Sequence, residues 1–168
     1  MKIRYYSTVE TAKIIRAELA ALYPKVKFSV KSSSYSGGSS ISVGWTDGPT
    51  ETQVKRTTDA FESATFDGMI DLKSNHYSEY QGETVSWGPD WVNLNRHNTA
   101  EFLQKVADKT AKTWGLPVPV IAVDAWGHMQ PCGGAVDSRG GRAWSLSELI
   151  YQDARKTFFY KGLRCTEK

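Results

Sequence analysis

At Pro24 the apolar period of the chain changes, and that change limits the folds open to it. Before it, Ala12, Ile15, Leu19 and Leu22 recur at three-to-four spacing, which is one stripe of a helix. Ser7 and Glu10 precede the stripe at the spacing of a capping box, and Pro24 ends it. After it, Val26, Phe28 and Val30 alternate with Lys25, Lys27, Ser29 and Lys31. A period of two predicts a strand with apolar side chains on one face and lysines on the other. A chain that makes this switch so early must pack a helix against a sheet.

The pattern continues in the same sense. Ser32–Ser39 reads as a turn-rich tip carrying Tyr35, and Ile41, Val43 and Trp45 repeat the alternation, so a hairpin is expected. Thr46-Asp47-Gly48-Pro49 is a tight turn. Thr50 with Gln53 can cap a second helix in which Val54, Thr58 and Phe61 share a face. Residues 66–72 read as a turn into a short third strand. Residues 74–95 are polar and aromatic without a clear period, with one possible strand at Thr84–Trp87.

A second set of signals starts at Asn98, which with Glu101 suggests another capping box. Phe102, Val106 and Trp114 mark a helix that stops at Gly115. Leu116–Val123 is apolar and extended, with prolines that favour a sheet edge. Asp124–Gly141 reads as a long loop. Leu146, Leu149, Ile150, Ala154 and Phe158 carry a last helix ending near Gly162. The expected fold is α+β: a small antiparallel sheet with packed helices in a helix–strand–strand–helix–strand module over 1–92, and a mainly helical part over 93–168 docked on it.

Composition narrows the function classes. A chain of 168 residues is long enough for a real core. Six Trp and eight Tyr are rich in the side chains that serve both cores and interfaces. Cys132 and Cys165 are too few for a disulfide framework and are expected as reduced thiols of a cytosol. No apolar run suits a signal peptide or a membrane span, so no membrane partner is expected. The net charge of +3 is uneven: residues 1–31 sum to +5, residues 47–90 to −6 and residues 139–168 to +4. Segregated charge steers partners.

Several residues invite a chemical reading. Ser36-Gly37-Gly38-Ser39 lacks the Gly-Lys-Ser/Thr ending of a phosphate loop and lies between two strands. Asp67 and Asp71 lack a third ligand at recognisable spacing, and His128 with Cys132 lacks the second ligand pair that zinc sites use. Cys132 is the best thiol candidate but has no evident base and orienting group. Neither metal nor cofactor is therefore expected, and the chain is read as a non-enzyme. Two surfaces remain. Lys25, Lys27 and Lys31 beside Tyr35 suit a phosphate backbone and a stacked base. The acidic and aromatic stretch of Trp45, Asp47, Asp67, Asp71, Tyr77, Tyr80, Trp87 and Trp91 suits a basic channel of another protein.

The strings PKVKFSVKS (24–32), YSGGS (35–39), WTDGP (45–49) and FDGMID (66–71) together carry a family resemblance. Over about residues 4–92 the chain resembles the large polyvalent protein-associated domain of type 29, found in very large proteins of phages and conjugative elements. The resemblance implies mobile DNA, the cytoplasm of a bacterial host and interference with host defence. The expected function is thus a phage or plasmid accessory protein that inhibits an anti-phage system, as an anti-CRISPR or anti-restriction factor. It would do so by binding a host defence protein or ribonucleoprotein complex. The alternative is direct nucleic-acid binding through the lysine face.

Overall fold

The computed structural model describes residues 3–67, 72–115, 117–123, 129–132, 136–137 and 144–157. The chain forms two units, one of Met1–Thr46 with Glu51–His97, the other of Asp47–Thr50 with Asn98–Lys168.

The first unit begins with a two-residue strand, β1 (Arg4–Tyr5), and the helix α1 (Thr8–Leu22). Ser7 caps α1 as its sequence requires: the Ser7 side chain accepts from Glu10 N, and the Glu10 carboxylate accepts from Ser7 N at 2.8 Å. The Ser7 hydroxyl also donates to Glu10 Oε2 at 2.6 Å, and the two bonds the carboxylate accepts, from hydroxyl and amide, hold the Glu10 carboxyl below its ordinary pKa. Ala12, Ile15 and Leu19 are buried along one stripe. The hairpin follows as β2 (Ser29–Tyr35) and β3 (Gly38–Thr46), closed by Ser36 and Gly37, the glycine at φ +93°. The tip is therefore shorter than the turn-rich stretch expected over Ser32–Ser39. The first strand of the hairpin starts at Ser29, and Lys25 falls in the turn before it.

After α2 (Glu51–Thr58) and a single 3-10 turn (Asp59–Phe61), four short strands follow: β4 (Ala64–Asp67), β5 (Leu72–Asn75), β6 (Ser78–Tyr80) and β7 (Glu83–Ser86). β4 pairs with β5, and β7 lies between β1 and β6. Gln81 and Gly82 close the β6–β7 hairpin, both with positive φ, the geometry that suits a two-residue turn.

The third strand of the main sheet is β8 (Trp91–His97), in a stretch where no period was evident. Its order is β2-β3-β8, with β8 parallel to β3. The sheet is therefore mixed instead of wholly antiparallel. Residues 47–90 supply the long crossover that a parallel neighbour needs. The core beneath holds Ile15, Leu19, Ile41, Val43, Trp45 and Val54, with Trp87 packed among Tyr6, Phe61 and Tyr80 at ring-centroid distances of 5.0, 4.9 and 5.4 Å. Among the described residues, Trp87 Nε1 is buried without a hydrogen-bond partner. Each outer strand of the sheet is guarded by a side chain. Arg16 Nη2 donates to Val30 O at 2.7 Å, and Val92 N donates to Glu62 Oε1 at 2.9 Å. Occupied edge groups discourage pairing with another chain.

The second unit is built on α3 (Ala100–Trp114) and α4 (Leu146–Lys156). Phe102, Leu103, Val106 and Ala107 pack against Ile150 and Ala154. Thr110 Oγ1 donates to Asp153 Oδ2 at 2.6 Å between the two helices. The cap of α3 is Thr99, one residue later than expected, and Gly115 ends the helix at φ +63°. Gln104 fastens the strand β9 (Val120–Val123), donating to Pro119 O and accepting from Ile121 N. The expected long loop contains strands: β10 (Met129–Cys132) pairs with β9, and β11 (Val136–Asp137) pairs with β12 (Trp144–Ser145). The end expected for α4 near Gly162 lies outside the described residues.

Candidate functional site

The central strand β3 sorts its side chains by size. Ser39, Ile41, Val43 and Trp45 are buried on the inner face, whereas Ser40, Ser42 and Gly44 are half-buried on the outer one. The neighbours extend the outer face in rows: Lys31, Ser42 and Asn93; Ser29, Gly44 and Asn95; and, at one end, Thr46 beside His97. On β8 the outward residues Trp91, Asn93, Asn95 and His97 are exposed, while Val92 and Leu94 pack on the core.

Low side chains in the middle and long ones at the sides make a shallow concavity of about 400 Å³. Lys27, Ser29 and Lys31 line one side, Asn95 and His97 the other, with Ser42, Gly44, Trp45 and Thr46 between them. Among the described residues, the lining contains no carboxylate. It can donate many hydrogen bonds and attract an anion, and it contains no acidic group to repel one.

The structure disperses most of the residues singled out from the sequence. Lys27 and Lys31 share the concavity, but Lys25 does not line it. Tyr35 is 50% exposed at the end of the hairpin, against Gly38. Trp91 is 37% exposed in the row of Ser33 and Ser40. Trp45 and Trp87 are each 2% exposed, so their rings serve the core and cannot anchor a partner. Tyr80 is half-buried in the Trp87 cluster, and Tyr77 stands exposed. Asp67 lies on β4 with its side chain outside the described residues, as Asp71 is altogether. The side chains of His128 and Cys132 are likewise outside them.

Asp47 has a structural task in the second unit. It and Gly48 have φ of +52° and +62°, and its two carboxylate oxygens accept from Thr99 N at 2.7 Å and Thr99 Oγ1 at 2.8 Å. It thereby orients the residue that caps α3. Of the acidic and aromatic stretch expected as a surface, Trp45, Trp87 and Tyr80 are thus drawn into or against the core of the first unit. Sequence reasoning missed Ser29, Asn95 and His97. The alternation of Val92 and Leu94 with Asn93 and Asn95 is the signal that would have found the last two.

No helix among the described residues is long and apolar enough to cross a membrane. The family model described as large polyvalent protein associated domain 29 matches residues 6–99. No curated protein and no solved structure matches the chain.

Proposed function

We proceed from the fact that the chain belongs to the large polyvalent protein associated domain 29 family, which is associated with phages and mobile elements, and we propose that it works by binding nucleic acid. The observation that carries this reading is the open face of β2, β3 and β8, where Lys27 and Lys31 flank a concavity free of carboxylates. Lysines on such a face neutralise phosphates and release counterions, and the hydroxyls and amides beside them add directional bonds. The reading is of binding: the concavity sets the cations Lys27 and Lys31 beside neutral hydroxyl, amide and imidazole groups that can hold a phosphate backbone.

A fluorescein-labelled oligonucleotide, followed by anisotropy at two salt concentrations, tests it. Binding should weaken with salt, and the Lys27→Glu/Lys31→Glu double variant should lose both the affinity and about two units of the salt slope. Salt-independent binding, or none, rejects the reading.

A finer reading concerns biological role. The family's association with mobile elements supports interference with host defence, anti-CRISPR or anti-restriction, through a host defence protein or ribonucleoprotein complex. A ribonucleoprotein presents nucleic acid, so the same face would serve. Phage plating on cells with active CRISPR or restriction systems tests this, and unchanged plating in every system refutes it.

A further inference from the structure

Gly44 stands inside the central strand, two residues from its end, where glycine weakens a sheet and wants a reason. Neither usual reason applies. Its φ is outside the left-handed region, and a Cβ added there would meet nothing nearer than Asn95 O at 3.8 Å. The contrast with Gly38 is direct, because a Cβ at Gly38 would collide with the Asp90 carboxylate. The space above Gly44 is open, and it lies at the centre of the concavity.

The two walls around that space differ in chemistry. The β2 wall presents Lys31 and, from the segment just before the strand, Lys27, and the β8 wall presents Asn95 and His97. Cations suit phosphates, whereas asparagine amides suit base edges, adenine in particular. Three strands about 4.8 Å apart put the walls roughly 10 Å from each other. That width admits one extended strand and bars the body of a duplex from the floor. Trp91 stands one row beyond Asn93, about 7 Å along the strand, with a ring exposed for stacking.

We infer that the sheet face is a single-strand channel, with phosphates along β2, base edges along β8 and the backbone of Gly44 as its floor. This rests on the nucleic-acid reading above and names the ligand: a single strand of DNA or RNA, held in a fixed sideways orientation.

The experiment compares a labelled single strand with a duplex of the same sequence, using the wild type, Gly44→Val and Asn95→Ala. Valine suits a strand and fills the floor. The single strand should bind at least ~10-fold tighter than the duplex, because only it reaches the Asn95 wall. Gly44→Val should lose ~10-fold or more of single-strand affinity with a melting temperature no lower than wild type. Asn95→Ala should flatten the preference between homopolymers and leave the salt slope unchanged. If Gly44→Val melts lower, Gly44→Ala replaces it, and a retained affinity in that folded variant overturns the channel. Equal affinity for duplex, or undiminished binding by Gly44→Val, also overturns it. In either case loss of binding in Lys27→Glu/Lys31→Glu would leave the broader reading standing. No binding by the wild type to either probe removes both.

Discussion

The two faces of β3 are made from the same nine residues and have opposite profiles. Beyond Ser39 the inner face carries Ile41, Val43 and Trp45, all part of one buried core with Ile15, Leu19 and Val54. The outer face carries small residues through Ser40, Ser42 and Gly44, with Thr46 at its end. Ordinary solvent-facing strand positions favour threonine, lysine and β-branched residues, which stiffen and solubilise a sheet. From Ser40 to Gly44 the outer face of β3 avoids them, while Lys31, Asn93 and Asn95 stand beside it. One face is filled and the other is kept low. The filled face accounts for the fold, and the low one has no evident structural purpose, which is why the functional argument starts there.

That contrast can be broken at graded cost. The largest effect should come from the filled face: Ile41→Ala removes a fully buried side chain and should destabilise the protein by about 2–5 kcal/mol, read as a lower urea midpoint. Next is Gly38→Ala, which forces the Asp90 carboxylate away from Ser39 N and should cost about 1–3 kcal/mol in the same assay. On the low face, Gly44→Val should change stability by no more than about 1 kcal/mol and in the favourable direction. A large loss there would show that the outer face is packed after all, and the contrast would fail.

The smallest effect is electrostatic and lies at the start of α1. The Glu10 carboxyl is held below its ordinary pKa by the Ser7 hydroxyl and amide. A depressed carboxylate stabilises the fold above its ordinary pKa, and that contribution disappears as pH falls through the lowered value. The urea midpoint of the wild type should therefore exceed that of Glu10→Gln at about pH 6, and the gap should close towards about pH 3. A gap that widens on acidification would contradict the capping geometry.

What could be read from the sequence was local. Ser7, Glu10 and Pro24 bound α1 without help from the rest of the molecule, and the alternation through Ile41, Val43 and Trp45 placed β3 with the correct face inward. β8 was hidden because its outward residues include two asparagines, which disfavour strands, and because its pairing with β3 comes from across the unit. The roles of acidic residues were hidden for the same reason. Asp47 serves Thr99 and Asp90 serves Ser39, and neither partnership follows from spacing along the chain. Lys27 and Lys31 were legible as one half of the candidate site, while Asn95 and His97 were not. The half of the site that lies on β2 was visible in the period, and the half on β8 required the fold.

The parallel ladder that brings these halves together also orders them in time. Ser40 pairs with Trp91 and Thr46 with His97, so the lysine wall leaves the ribosome long before its opposite wall. Lys27 and His97 are 70 residues apart, so at about 5–20 residues per second the wait is roughly 3–14 s. During that interval a nascent chain carries exposed lysines and a hairpin, but no channel. A ligand that needs both walls would favour only the finished sheet, adding about 2.7 kcal/mol to its stability at a free concentration about 100 times Kd. Occupancy would then report that the chain has emerged beyond β8.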